Sequence, residues 1–382
     1  MKKSRRDKQQ AIIMNLIRPL VKIWMRLDAK RKVHFGEGFS PKRKEPYILL
    51  ANHTFLFDVI HVPLRLRNVP FIVASQTLFK KQPTKFLVTQ IAHVIPKSKG
   101  ASDTSTVREL ISSVRKGYPI LIFPEGDTTF YGETNYIEES TMKLIKKLGI
   151  DVVTCNVKGG YLSKPRWATS KRKRRQISLD YQLTIPKNQI KNLSSDEINE
   201  TIKKALYHND YEYQRKVMIK HPGKKLAEGI ENVVYVCPHC QAINSIESHK
   251  NQIKCNVCHE EGLIDDYGFI HQFKFDNLIS WNEYQKEFSK ELRQAKIETS
   301  GYLNYMSRED DQLEPVGQIN ISYHDYALHL SNSIELEIPI DQITNATITL
   351  RRDFGFVYED KHYLIKIDRF GASLLRIVQD KY

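Results

Sequence analysis

The sequence lacks an uninterrupted stretch of about 18 apolar residues, the length that a transmembrane helix requires. It also lacks the pattern of a secretory signal, because Arg18 and Lys22 interrupt the apolar stretch that follows the basic start and no small-residue cleavage site is present. Internal repeats and low-complexity segments are absent. We therefore expect a protein of the reducing cytoplasm rather than a secreted or membrane-spanning one.

Cysteine is scarce, with five residues in a chain of 382. Four of them form two pairs, Cys237/Cys240 and Cys255/Cys258, whereas Cys155 stands alone in an apolar run and is expected to be a buried core residue. No serine or cysteine has the sequence context of a nucleophile elbow. Any group transfer that this chain catalyses is therefore expected to proceed without a covalent protein intermediate.

Acidic residues are outnumbered, with 44 Asp and Glu against 59 Lys and Arg, which gives a formal charge of +15. Such an excess favours an anionic partner, which can be nucleic acid, a phospholipid surface, an acidic carrier protein or a phosphorylated substrate. Charge alone does not choose among them. The length and the hydrophobic content of 41% favour two or three domains with cores of their own.

The first 45 residues combine a basic run with an amphipathic stretch from Ala11 to about Leu27. Its apolar residues recur at helical spacing, namely Ile13, Leu16, Ile17, Leu20, Trp24 and Leu27. A basic helix with a stripe that carries tryptophan is typical of a helix lying in the membrane interface. A helix packed on its own domain fits the same pattern, so both interpretations stay open.

Residues 46–222 alternate short apolar runs with helical stretches, which predicts an α/β domain with a central sheet. The predicted helices are Thr104–Arg115, Ser140–Leu148 and one from Ser194 to about Lys216. The predicted strands are Tyr47–Ala51, Pro70–Ala74, Ala92–Pro96, Pro119–Phe123, Asp151–Val157 and Ile177–Ile185.

Two short segments at strand ends carry the chemistry. The first predicted strand runs into Asn52-His53, and four residues separate His53 from Asp58. The segment Phe123-Pro124-Glu125-Gly126 follows about seventy residues later. In this order the two boxes resemble those of the glycerolipid acyltransferase family, whose bacterial members acylate lysophosphatidic acid. The resemblance covers roughly residues 33–185 and implies an acyltransferase fold with a central mixed sheet and flanking helices.

A lipid hydroxyl is a weak nucleophile at neutral pH and needs a base that takes its proton during attack. Neutral His53 can do this through one ring nitrogen, while Asp58 accepts a hydrogen bond from the other and fixes the tautomer. We predict His53 and Asp58 as the catalytic pair and direct transfer from an acyl thioester to the hydroxyl.

The resemblance also implies substrate-binding roles for Asn52, Glu125 and Gly126, and for Lys99 as a phosphate ligand. Both boxes depart from the family's pattern. Asp127 and Thr128 follow Gly126, where the family usually continues with threonine and arginine, and Phe55 stands where a serine is common. Because the arginine that would clamp a phosphate monoester is missing, lysophosphatidic acid is not fixed as the acceptor. The basic run of residues 170–175 offers other cations, which can serve the acceptor, dock anionic lipid or an acyl carrier, or remain solvated.

The cysteine pairs each enclose two residues and lie fourteen residues apart. Two such knuckles can close a tetrahedral zinc site without an open coordination position, and the pattern resembles a zinc ribbon. We predict Cys237, Cys240, Cys255 and Cys258 as ligands of a structural zinc ion, with His239 and His259 as bystanders.

The last third of the chain predicts a helix over Ser280–Lys296, short strands over Pro315–Asp368 with a turn near Asp353–Gly355, and a final helix over Ala372–Lys381. It weakly resembles a small pleckstrin-homology-like or GRAM-like β domain. The predicted organisation is thus an N-terminal segment (1–45), an acyltransferase domain (46–222), a zinc ribbon (223–264) and a C-terminal β-rich domain (265–382).

The sequence therefore predicts an O-acyltransferase bound peripherally at the cytoplasmic face of the membrane. It would move a fatty acyl group from acyl-CoA or acyl-carrier protein to a lyso-glycerophospholipid or a related lipid acceptor, and no nucleic-acid partner is expected. The alternative is a non-catalytic basic zinc-ribbon protein that binds nucleic acid or anionic membrane through a degenerate acyltransferase domain.

Overall fold

The computed structural model describes residues 5–75, 94–97, 104–173, 175–306 and 313–380. The chain forms two compact units, one from Met1–Ser163 with Arg174–Ile219 and the other from Lys164–Lys173 with Lys220–Tyr382. Among the described helices, none combines the length and the apolar character that crossing a bilayer would require.

The first unit alternates strands and helices along the chain, which confirms the predicted α/β class. Its strands are β1 (Lys30–Phe35), β2 (Ile48–Ala51), β3 (Phe71–Ser75), β4 (Val94–Lys97), β5 (Ile120–Ile122), β6 (Val152–Lys158) and β7 (Gln176–Ile185). Its helices are α1 (Arg5–Asp28), α2 (Asp58–His61), α3 (Thr104–Arg115), α4 (Ser140–Leu148), α5 (Gly160–Ser163), α6 (Lys187–Ile190), α7 (Ser195–Leu206) and α8 (Asp210–Val217).

These seven strands form one mixed sheet in the order β1-β7-β6-β2-β5-β3-β4. Strands β6, β2, β5, β3 and β4 run parallel to one another, whereas β7 is antiparallel to β6 and β1 is parallel to β7. Strand β2 therefore lies between two parallel neighbours, with Leu49 opposite Leu121 of β5 and Val153 of β6.

Strand β2 is buried on both faces. Ile48 and Leu50 pack into a core under α3, α4 and α7, whereas Leu49 and Ala51 pack into a second core on the other face of the sheet. All four residues are fully buried, which explains why this strand is apolar at every position rather than at alternate ones.

Two details of this unit differ from the sequence prediction. The helix expected from Ser194 to about Lys216 begins with the predicted capping box of Ser194 and Glu197, but α7 ends at Leu206. A second helix, α8, follows because the side chain of Asn209 accepts hydrogen bonds from the backbone N–H groups of Tyr211 and Glu212. Strand β1 was not predicted, since it is a mostly exposed edge strand with three basic residues.

The second unit contains two antiparallel sheets. The first holds β8 (Ile246–His249), β9 (Gln252–Cys255), β10 (Glu261–Ile264) and β11 (Ile270–His271) in the order β11-β10-β9-β8. Helices α9 (Leu278–Lys286) and α10 (Ser289–Gln294) follow. The predicted helix over Ser280–Lys296 is therefore two helices.

The second sheet has seven strands in the order β15-β14-β13-β12-β18-β17-β16, and helix α11 (Gly371–Gln379) ends the unit. The strands are β12 (Ile297–Met306), β13 (Leu313–His324), β14 (Ala327–Asn332), β15 (Leu336–Pro339), β16 (Thr344–Thr349), β17 (Asp353–Tyr358) and β18 (Lys361–Ile367). The turn predicted near Asp353–Gly355 instead occupies residues 350–352, and Asp353 already pairs with Lys366 of β18.

Candidate functional site

The two boxes meet at one edge of the first sheet. His53 follows the end of β2, and Glu125 follows the end of β5. Because β2 and β5 are adjacent parallel strands, their carboxyl ends lie at the same edge. The backbone N–H of His53 donates to Oε1 of Glu125 at 2.7 Å, so the sheet brings together residues that are 72 positions apart.

His53 and Asp58 form the predicted pair. Nδ1 of His53 lies 3.2 Å from Oδ2 of Asp58, and the Asp58 side chain is fully buried. The same carboxylate oxygen accepts hydrogen bonds from the backbone N–H groups of Thr54 at 2.6 Å and Phe55 at 2.9 Å. Asp58 therefore shapes the turn that carries the histidine, residues 53–58, which is called the His53–Asp58 turn below. The same carboxylate oxygen also orients the histidine ring.

Further contacts hold both the ring and the backbone of His53. Its ring packs against Phe123 with the centroids 4.4 Å apart, and its backbone carbonyl accepts a hydrogen bond from Thr129 N at 2.9 Å. The side chain keeps 14% of its surface exposed. With Nδ1 facing Asp58, the nitrogen that remains for a substrate proton is Nε2, which makes no hydrogen bond to any described residue.

Glu125 is a buried clamp between two loops. Its Oε1 accepts from His53 N, and its Oε2 accepts from Asn135 N at 2.6 Å. Burial raises the pKa of Glu125 to about 8, with smaller upward contributions from the charges of Asp58 and Asp127, although both backbone hydrogen bonds act in the opposite direction. The geometry gives Glu125 a role in holding His53, and its predicted contact with a substrate stays a prediction.

The other predicted substrate residues have different surroundings. Asn52 is buried, and its side-chain amide exchanges two hydrogen bonds with the backbone of Val157, at 2.9 and 2.6 Å, which ties β2 to β6. Gly126 is exposed and adopts a φ of 74°, a conformation that favours glycine. Lys99 lies outside the described residues.

The basic run of residues 170–175 is not uniformly a solvated loop. Arg172 and Arg175 each keep only 5% of their surface exposed. Arg175 forms an ion pair with Asp28, whose carboxylate also lies 3.2 Å from Nε2 of the fully buried His61 on α2. Burial alone would raise the pKa of Asp28, but the hydrogen bond from His61 and the charge of Arg175 lower it. These contacts connect the end of α1 to the helix that begins at Asp58.

Sequence reasoning missed Gly160, the first residue of α5. A Cβ atom at this position would lie 1.9 Å from Oγ1 of Thr54, whose hydroxyl donates to Asp58 at 3.1 Å. Only glycine allows α5 to approach the His53–Asp58 turn so closely. The signal in the sequence was the pair Gly159-Gly160 immediately after a predicted strand.

The four paired cysteines of the second unit converge. Sγ of Cys237 lies 3.8 Å from that of Cys258, Sγ of Cys240 lies 3.7 Å from that of Cys255, and all four sulfur atoms lie within 4.8 Å of one another. A zinc ion bound at about 2.3 Å by four thiolates sets the sulfur atoms about 3.8 Å apart in a regular tetrahedron. The donor set and its spacing therefore fit zinc.

The two knuckles have the same backbone geometry. Gln241 N donates to the carbonyl of Cys237, and His259 N donates to the carbonyl of Cys255, both at 3.0 Å. Gln241 and His259 both have positive φ angles, of 65° and 64°. His239 turns its ring to Phe273, at a centroid distance of 5.0 Å, in agreement with its predicted role as a bystander.

Comparisons with known proteins find similarity in the segment that contains the first site. Residues 30–158 match the family model described as Acyltransferase, and this segment contains His53, Asp58 and Glu125. No curated protein matches the chain. A similar solved structure is that of the 1-acyl-sn-glycerophosphate (LPA) acyltransferase PlsC from Thermotoga maritima, with 19% identity, a TM-score of 0.43, and coverage of 53% of this chain and 80% of that one. The segment that carries the His53–Asp58 pair is therefore similar to an acyltransferase domain.

Proposed function

We propose that this protein is an O-acyltransferase that works at a membrane surface and transfers a fatty acyl group from a thioester to a hydroxyl of a lyso-glycerophospholipid or a related lipid. The observation that carries the proposal is the orientation of His53 by Asp58 at the carboxyl ends of the parallel strands β2 and β5, inside a segment that matches the acyltransferase family model. The donor would be acyl-CoA or acyl-carrier protein.

The chemistry follows from the orientation of the ring. The acceptor oxygen attacks the thioester carbonyl while Nε2 of His53 takes the hydroxyl proton. The imidazolium that forms is stabilised by the carboxylate of Asp58. Collapse of the tetrahedral intermediate breaks the carbon–sulfur bond, and the proton passes from Nε2 to the departing sulfur. The products are an ester and a free thiol, and no covalent enzyme intermediate is required.

Helix α1 supports a location at the membrane surface. Its exposed side carries large apolar residues, among them Leu16, Leu20 and Leu27 with 72%, 69% and 82% of their surface exposed. Met25, on the opposite side, is fully buried against the unit. So many exposed apolar side chains on one helix face are typical of a helix that lies in the membrane interface.

The exposed apolar side of α1 contacts the His53–Asp58 turn through Trp24. The ring of Trp24, half exposed, contacts Phe57 edge-on with the centroids 5.7 Å apart, and the neighbouring Leu56 is 47% exposed. Phe57 and Leu56 lie between His53 and Asp58 in the sequence. A bilayer that receives α1 would therefore present its lipids close to His53.

The proposal is tested with purified protein, both donor types and a panel of lysophospholipids and other hydroxylated lipids in mixed micelles. The panel is needed because Asp127 and Thr128 occupy the positions at which the family carries its phosphate-binding residues. Replacing the base, His53→Ala, is expected to lower kcat about 10²- to 10⁴-fold on whichever acceptor is used.

The matched control is His34→Ala, which removes an exposed histidine from β1 of the same unit. It is expected to retain parental turnover. Parental turnover by the His53→Ala protein, or no transfer by the parental protein with any acceptor, would refute the proposed function.

A further inference from the structure

Basic side chains from three elements gather on the side of α1 that also carries Met25. Nη1 of Arg18, on α1, donates to the carbonyl of Leu66 at 3.1 Å and fixes α1 to the turn that carries Arg65. Nη2 of Arg31, on β1, reaches the carbonyl of Lys22 at 3.4 Å. Arg18, Lys22, Arg31 and Arg65 are together called the cationic cluster below.

The cationic cluster has an excess of positive charge. Burial and the charges of Arg65, Arg18 and Arg31 all lower the pKa of Lys22. The carboxylate of Asp28, whose charge acts on Arg31, is already bound to His61 and Arg175. Nη1 of Arg31 is buried and makes no hydrogen bond within the described part of the chain. Like charges held together with an unsatisfied buried donor are stabilised when an anion binds between them.

The position of the cluster indicates where that anion comes from. Lys22 is half-buried, and its side chain is turned about 100° around the helix from that of Ile23, which is 61% exposed at the margin of the apolar side. A helix that places this side among acyl chains brings its flanking cations to the level of the phosphate groups. A soluble anion would make no use of the adjoining apolar face.

We propose that Arg18, Lys22, Arg31 and Arg65 bind the phosphate group of an anionic phospholipid in the bilayer on which α1 lies, so that the protein selects negatively charged membranes. The inference rests on the proposed location at the membrane surface, and it adds the lipid class and the residues that recognise it.

The experiment measures cosedimentation of the full chain with phosphatidylcholine vesicles that contain or lack phosphatidylglycerol. We expect phosphatidylglycerol to strengthen binding of the parental protein. The double variant Lys22→Gln/Arg65→Gln is expected to lose about fivefold in affinity for each cation, and only on the anionic vesicles. Neither side chain makes a hydrogen bond within the described residues, so folding is expected to be retained.

Two further variants separate charge from apolar contact. The control Lys143→Gln/Lys147→Gln removes the same charge from the exposed side of α4 and is expected to bind like the parental protein. Leu16→Ser/Leu20→Ser removes apolar surface and is expected to weaken binding to both kinds of vesicle.

Several results would overturn the inference. These are equal binding to both vesicle types, an equal loss in the α4 control, displacement from anionic vesicles by inorganic phosphate at constant ionic strength, or a parental dimer that Leu16→Ser/Leu20→Ser converts to a monomer. The last two would identify the occupant as free phosphate or a second copy of the chain. A parental protein that binds anionic vesicles but transfers no acyl group to any acceptor in micelles that contain phosphatidylglycerol would refute the proposed function and leave this inference standing.

Discussion

The His53–Asp58 turn and the cysteine cluster reach their geometry in opposite ways. At the turn, the carboxylates of Asp58 and Glu125 accept backbone hydrogen bonds from the loops that they position, and the turn follows strand β2, which is buried on both faces of the sheet. At the cluster, four sulfur atoms converge between short strands and knuckles. The turn can therefore form from protein interactions alone, whereas the cluster brings together thiolates that repel one another unless a cation neutralises them. Each of the following predictions tests one side of this difference.

The largest effect is expected from loss of the metal. If the four cysteines bind zinc as predicted, Cys255→Ser or treatment with a strong chelator should remove it and with it a stabilisation on the order of 10 kcal/mol, the scale measured for structural zinc in small modules. Elemental analysis measures the zinc content, and circular dichroism with thermal melting measures the fold. The control His259→Asn keeps all four thiolates and a residue that tolerates the positive φ at this position. A zinc-free protein with an unchanged melting temperature would contradict the prediction.

The next effect is expected at Asp58. In Asp58→Asn an amide group would face the backbone N–H groups of Thr54 and Phe55 and could no longer fix the tautomer of His53. By analogy with catalytic triads, kcat should fall about 10³- to 10⁴-fold, which steady-state assays at saturating acceptor would measure. Asp127→Asn is the control, because that carboxylate bonds to the adjacent Thr128 N within its own loop. A loss of the same size in both variants would show that charge at this edge matters rather than the orientation of His53.

A smaller effect is expected at Gly160. Gly160→Ala places a methyl group 1.9 Å from the hydroxyl oxygen of Thr54, so the His53–Asp58 turn must move. We expect this movement to lower the free energy of unfolding by about 1–3 kcal/mol. Denaturant unfolding measures this cost, and kcat should fall with it. The double variant Gly160→Ala/Thr54→Ala should recover part of the stability, because the hydroxyl oxygen is gone while Cβ of Thr54 remains at 2.9 Å. Additive losses in the double variant would contradict the proposed contact.

The smallest effect is a pH dependence at Glu125. Its pKa in the folded protein is raised from 4.5 to about 8, so the folded state holds this proton more tightly than the unfolded state does. The contribution of Glu125 to stability is thus complete below pH 4.5 and is lost as the pH rises through about 8. In Glu125→Gln the side chain at this position does not titrate. The melting temperature of the parental protein should therefore fall relative to that of the variant as the pH rises from 5 to 8. If the melting temperatures of the two proteins differ by the same amount at every pH in this range, Glu125 is ionised in the folded protein throughout it.

Much of the first unit could be predicted from the sequence, because its strands and helices have clear apolar patterns. Helices α3 and α4 have the predicted bounds, and the capping box at Ser194 marks the start of α7. Strand β1 escaped prediction because an exposed edge strand that begins with three consecutive basic residues carries little apolar signal. The break between α7 and α8 escaped it because a short polar connection capped by Asn209 interrupts a continuous helical periodicity.

The candidate sites divide in the same way. The spacing of His53 and Asp58 places both on one turn, and the spacing of each cysteine pair places both thiolates on one knuckle, so these contacts are local and the sequence by itself determined them. The structure decided which distant residues join them. Glu125 reaches His53 only because β5 pairs with β2, and Arg175 is buried against Asp28 only because β7 lies beside β1. Strand order is a property of the whole sheet, whose alternatives bury similar apolar surface locally, so no pattern within one segment of the chain specifies it.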